Sequence, residues 1–192
     1  MAGLGLAAAC GGGDDDAAAP DESSTTTSTT AATTTTTAVD ATGPVPAEIT
    51  PAYVEAVITE LAGLYQQALA SAIEDEAFGE RYIALTGAAY TPEEAADQQA
   101  GLDGLGGVTA IARPPGTPTV EVTELVSASP ECIFVYADYD PTPLIQVPVD
   151  ISQPYFIKLL PEENDSPLNP TPWRLDMLRF NRDGTLLEDQ CA

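Results

Sequence analysis

The chain contains no histidine. A Ser-His-Asp or Cys-His nucleophile system therefore cannot be assembled, and any site that needs an imidazole is excluded. Positive charge is nearly as scarce. Lys158 is the single lysine, beside five arginines, against 30 acidic residues, for a formal net charge of −24. Nucleic acid is excluded as a partner, because binding it requires a basic stripe that displaces counterions. The same deficit repels anionic lipid headgroups. No apolar run reaches the roughly 18 residues of a membrane span, so attachment to a membrane must come from a covalent lipid or from a partner. Cysteine is limited to three residues, with no Cys-x-x-Cys spacing. With no histidine to complete a mixed zinc site, redox or zinc chemistry is not expected. Asp14-Asp15-Asp16 and Asp138-Tyr139-Asp140 lack the ligand spacing of a calcium loop. Gly104-Leu105-Gly106-Gly107 lacks the lysine and the strand-to-helix setting of a phosphate cradle. No cofactor and no metal is expected.

What remains is an apolar fraction of 44% in 192 residues, enough for one domain plus a tail. Of 30 alanines, 25 precede residue 101, whereas Val and Ile concentrate after it. Helices first and strands later is an α+β pattern rather than an alternating α/β one.

The N-terminus reads Met1-Ala2-Gly3-Leu4-Gly5-Leu6-Ala7-Ala8-Ala9-Cys10, followed by three glycines and three aspartates. A short apolar run ends in small residues and a cysteine. This resembles the end of a bacterial lipoprotein signal, in which that cysteine is acylated and becomes the mature N-terminus. The resemblance implies lipidation at Cys10 by palmitate-like chains, and residence on the extracytoplasmic face of a cell membrane. The run lacks a preceding Lys or Arg and is short, which places Met1 inside a longer signal. The alternative is an Ala/Gly-rich leader with an incidental cysteine. Several acyl chains hold a protein stably where one holds it only marginally.

Residues 11–47 form a linker, first Gly/Asp-rich, then Thr/Ser-rich around residues 23–37, closing at Pro44-Val45-Pro46. Such a tract buries too little area to offset the entropy of ordering. As a flexible coil, about 36 residues reach roughly 30–35 Å root-mean-square. Its threonine density suits either a glycosylated stalk or an unmodified spacer.

Residues 48–192 are expected to form one α+β domain. Thr50-Pro51 opens a helix whose apolar positions, from Val54 through Ala72, recur at three- and four-residue steps to about Asp75. A second helix is expected from Glu76 to about Thr86, with Phe78, Tyr82, Ile83 and Leu85 inward. Thr91-Pro92-Glu93-Glu94 has the form of a capping box and begins a third helix to about Leu102, with Ala95, Ala96 and Leu102 inward. Strands are expected at Val108–Arg113, at Thr119–Val126 with a phase slip at Leu125-Val126, and at Cys132–Asp140. Further strand is expected within Ile145–Leu160, interrupted by Pro148 and Pro154. A hairpin is expected from Trp173–Asn181 and Thr185–Gln190, turning at Arg182-Asp183-Gly184.

Helices followed by a meander, with late pieces such as Tyr155-Phe156-Ile157-Lys158-Leu159 and Pro172-Trp173-Arg174-Leu175, resemble the nuclear-transport-factor-2-like fold. The resemblance covers about residues 50–190 and implies helices packed in a curved, mostly antiparallel, cone-like sheet. A cystatin-like wrap is the competing arrangement. Cys132 and Cys191 are an even pair once Cys10 is set aside, and a disulfide is the natural reading.

In the cone-like fold a pocket lies between sheet and helices, and related enzymes use a carboxylate with a tyrosine there. The strand alternation puts Phe134, Tyr136 and Asp138 on one face, with Trp173 the fourth pocket candidate. Asp138 is the single candidate for catalysis, and its place before Pro141 equally fits a solvated carboxylate. Asp176, with Tyr65 or Tyr82, could extend the polar cluster. The expected role is binding without catalysis, of a small apolar ligand or a protein partner. Two alternatives stand: an isomerase-, cyclase- or hydratase-like enzyme, and an interaction module that forms a homodimer through an open sheet face. The domain carries six basic and 24 acidic residues, net −18, which favours neutral or cationic partners.

Overall fold

Thr50 caps the first helix. The Tyr53 N–H donates to Thr50 Oγ1 at 3.3 Å, and the Val54 N–H to the Thr50 carbonyl at 3.1 Å. In the computed structural model, which describes residues 39–75, 78–149, 154–163, 166–180 and 187–192, this helix is α1 (Pro51–Asp75). It buries Tyr53, Val54, Val57, Ile58, Leu61, Leu64, Ala68, Leu69 and Ala72, the stripe that the spacing requires. Packing begins ahead of residue 48, within the expected linker: Ala41 is buried and Val45 lies against the core. Residues Thr37–Ala192 form one compact unit.

Helix α2 (Glu80–Ala89) starts later than its sequence suggests. Gly79 stands at its N-cap in extended conformation, and a Cβ there would meet Asp75 Oδ2 at 2.3 Å. The later start sets the buried positions at Tyr82, Leu85, Thr86 and Ala89, so Ile83 points outward, 57% exposed, contrary to expectation. Helix α3 (Pro92–Gly104) buries Leu102 and Glu94 but leaves Ala96 exposed. The expected capping box does not form. The Thr91 hydroxyl donates to Asp176 Oδ1 at 3.2 Å rather than capping its own helix. The Thr91 N–H donates to the Leu175 carbonyl at 2.9 Å. Tertiary partners replace local ones, and α3 is thereby tied to the sheet.

The strand expected at Val108–Arg113 is a 3-10 turn, Gly107–Ala110, followed by a single bridge from Ile111 to Ile145. Gly106 (φ 96°) and Gly107 (φ 65°) take left-handed conformations that coil the backbone before a strand can begin. Four strands follow: β1 (Thr119–Ser129), β2 (Cys132–Asp140), β3 (Tyr155–Pro161) and β4 (Trp173–Phe180). They form one antiparallel sheet in the order β1-β2-β3-β4. The fold class is α+β.

Strand β1 slips register twice, between Val122 and Glu124 and between Leu125 and Ser127. The second shift is the expected phase slip. The first shift brings Leu125, paired with Val135, to the helix side, and the second leaves Val126 as the extra residue, packed on the opposite face. Beside the first, the Val122 N–H donates to Glu55 Oε1 of α1 at 2.9 Å. Strand β4 slips where Leu175 and Met177 pair with consecutive residues of β3, leaving Asp176 as the extra residue. That bulge keeps Trp173 and Leu175 in the core and still turns Leu178 and Phe180 toward it. Of the second arm of the expected hairpin, the described residues 187–190 are not strand, and residues 185–186 lie outside the described residues. The turn at residues 182–184, Cys10 and the Thr-rich tract lie outside the described residues.

Candidate functional site

Alternation along β2 and β3 divides the sheet into two faces. Ile133, Val135, Ala137 and Tyr139, with Tyr155, Ile157 and Leu159, join the helices in the main core. Phe134, Tyr136 and Phe156 form a separate cluster on the opposite face, with Val126, Met177 and Cys191 against it. Their rings meet edge to face, Phe134 to Tyr136 at 5.7 Å and Tyr136 to Phe156 at 5.3 Å. The segment at residues 187–191 lies over this cluster. Cys191 is bonded to Cys132, the Tyr136 hydroxyl donates to the Leu187 carbonyl at 2.8 Å, and the Ser127 hydroxyl donates to the Asp189 carboxylate.

This division corrects the pocket drawn from the sequence. Phe134 and Tyr136 are buried under that C-terminal segment, away from the helices. Asp138 shares their side and is exposed to solvent, the ordinary setting of a strand-end carboxylate. Trp173 lies on the other face, fully buried, where its indole N–H donates to the Tyr53 hydroxyl at 2.9 Å. The four candidates do not share a cavity. Asp176 pairs with Lys158 at 3.1 Å and accepts from Thr91, which engages it at the sheet edge.

The helix side of the sheet holds a cleft of roughly 190 Å³ that the sequence did not indicate as such. Tyr65 of α1, Gln98 of α3, Tyr139 of β2, Tyr155 of β3 and Leu178 of β4 line it, together with Leu105, Pro141, Leu144, Ile145 and Val149. The ring centroids of Tyr139 and Tyr155 lie 5.1 Å apart at 63°. Tyr65 meets the buried Tyr90 edge to face at 5.5 Å. Of the five, only Tyr65 had been singled out. The missed signal was the polar Asp138 itself: its face is the wet one at that end of β2, which leaves Tyr139 for the helix side.

Burial sets the chemistry here. It pushes the Tyr65, Tyr90 and Tyr139 hydroxyls well above the ordinary tyrosine value, and neighbouring phenols and Glu94 or Asp140 add to the effect. These groups are neutral donors and acceptors at any physiological pH. Tyr82 is likewise raised by burial, with Thr86 and Tyr65 opposing the shift. Glu94, 1% exposed, is raised by burial against the opposing effect of Arg179 and Gln98. Arg179 holds it at 2.7 Å and reaches Asp97 at 2.9 Å, and the Gln98 amide donates to it. No carboxylate, amine or thiol lines the cleft among the described residues. Among those residues no cluster of His, Cys, Asp and Glu could hold a metal ion, and no helix is long and apolar enough to cross a membrane.

Comparison with protein-family models, with curated proteins and with solved structures gives no match.

Proposed function

We propose that this is a lipid-anchored extracytoplasmic protein that binds a small ligand, without catalysis, in the tyrosine-lined cleft. The cleft wall carries the reading: three phenol rings, one amide and aliphatic side chains, with no described group able to move a proton near neutral pH. An enzyme of the carboxylate-and-tyrosine kind is less well supported, because Asp138 is on the opposite side of the sheet and Glu94 is held by Arg179. A homodimer through the open sheet face is also less well supported, since this chain's own residues 187–191 cover the aromatic cluster there. The Cys10 motif and the Thr-rich stalk support the anchored location, and a bonded Cys132–Cys191 pair agrees with an oxidising compartment. The finer architecture we propose is the nuclear-transport-factor-2-like cone. Support comes from helices that precede a sequential antiparallel meander, and from α1 lying against the sheet.

A thermal-shift screen of small neutral and charged molecules tests the binding reading. Hits are expected on the native protein and lost in Leu144→Trp, which fills the cleft. Hits that persist in that variant would sink it. Metabolic labelling with an alkynyl palmitate tests the anchor, with label expected on the native chain and absent from Cys10→Ala.

A further inference from the structure

The walls of the cleft say more about its occupant than its size does. At roughly 190 Å³ it is smaller than the pockets of about 300 Å³ and above that take drug-sized ligands, so it suits a compact group. Tyr65, Tyr139 and Tyr155 line it from three different elements, and the rings of Tyr139 and Tyr155 are tilted 63° to one another. Leu144 and Leu178 supply methyl contacts between them. No basic side chain lines the cleft among the described residues, and the nearby Arg179 is engaged by Glu94 and Asp97. Asp140 follows Tyr139 directly in the chain, and Gln98 donates to Glu94, which Arg179 also holds. The domain around them has a net charge of −18.

Each candidate ligand class meets these walls differently. An anion finds no cation to pair with and is repelled by the surrounding field. A primary ammonium can donate to the phenol oxygens and to the Gln98 amide, but it is a compact, strongly hydrated charge that is costly to bury without a carboxylate partner, and none lines the cleft among the described residues. A methylated ammonium needs no acceptor. Its positive charge is spread over methyl groups that pack on aliphatic and aromatic surface, and tyrosine faces attract it through their quadrupoles. We infer that the cleft takes a quaternary or trimethylated ammonium group. This rests on the ligand-binding reading above and adds the charge of the ligand to it.

Calorimetric titration of the full chain with choline, and with its uncharged carbon isostere 3,3-dimethylbutan-1-ol, tests the inference. Choline is expected to bind about tenfold more tightly, the preference that cation–π attraction and the acidic surround supply. Tyr155→Phe keeps the ring and should retain choline binding. Tyr155→Leu should lose most of the preference, leaving binding of the isostere within about threefold. Should Tyr155→Leu fail to fold, Tyr139→Leu makes the same test. Equal or tighter binding of the neutral isostere would overturn the cationic ligand while leaving a ligand-binding cleft. Binding of neither compound would overturn the inference as well, and the thermal-shift screen then decides separately whether the cleft binds anything.

Discussion

The two faces of the sheet are covered by different means. The helix side is closed by bulk: a 25-residue α1, with α2 and α3, buries aliphatic side chains against β2, β3 and β4 and leaves one tyrosine-lined cleft. The other side is closed by attachments. Three aromatic rings lie beneath a short segment held, among the described residues, by one disulfide, one hydrogen bond from Tyr136 and one from Ser127. Bulk burial is spread over many contacts, so no single group holds it. An attached cover depends on a few named bonds and should be separable from the core.

The largest expected effect falls on the helix side. Trp173→Ala removes a fully buried indole and leaves the Tyr53 hydroxyl without its donor, at a cost of about 3–5 kcal/mol in urea-monitored unfolding. A cost under 1 kcal/mol would mean that the indole is not packed in the core with its N–H on Tyr53. Next is the disulfide. Paired Cys132→Ser and Cys191→Ser substitutions open a link spanning 59 positions and should cost about 2–4 kcal/mol. Hydrogen exchange should then rise over residues 187–191 before it rises in α1. Equal loss of protection in both would erase the distinction between the faces.

Tyr136→Phe deletes only the hydroxyl that reaches the Leu187 carbonyl and should cost about 1 kcal/mol, read from the same denaturation curve. The smallest effect concerns acid. Hydrogen bonds from Ser127 and from the Cys191 N–H hold the Asp189 carboxyl below the ordinary value of 3.8. A lowered acid stabilises the folded form above its unfolded pKa, and that contribution is lost as pH falls through the folded one. The segment should therefore loosen only below about pH 4, checked by exchange at residues 187–191 on acidification. In Asp189→Asn that acid dependence should vanish.

Local pattern made some of this visible in advance. The α1 stripe, the Thr50 cap, strand β2 and the Cys132–Cys191 pair each follow from spacing, capping or cysteine parity, signals carried within a few residues or by composition. Other features are long-range. Thr91 and Glu94 are arranged like a capping box, but Asp176 and Arg179, more than 80 positions away, claim them. Gly106 and Gly107 ended a strand that Val108 and Ile111 suggested. The candidate site failed for a related reason. Period-two alternation sorts β2 into two sets but does not say which set meets the helices. Phe134 and Tyr136 share a face with Asp138, the candidate carboxylate, and residues 187–191, which the Cys132–Cys191 bond ties to β2, cover the two rings.

The covering segment also has a temporal meaning. Cys132 is synthesised 59 positions before its partner, so a growing chain can complete β1 and β2 well before residues 187–191 exist. Until that stretch arrives and the thiols are oxidised, Phe134 and Phe156 offer a greasy patch to whatever is nearby.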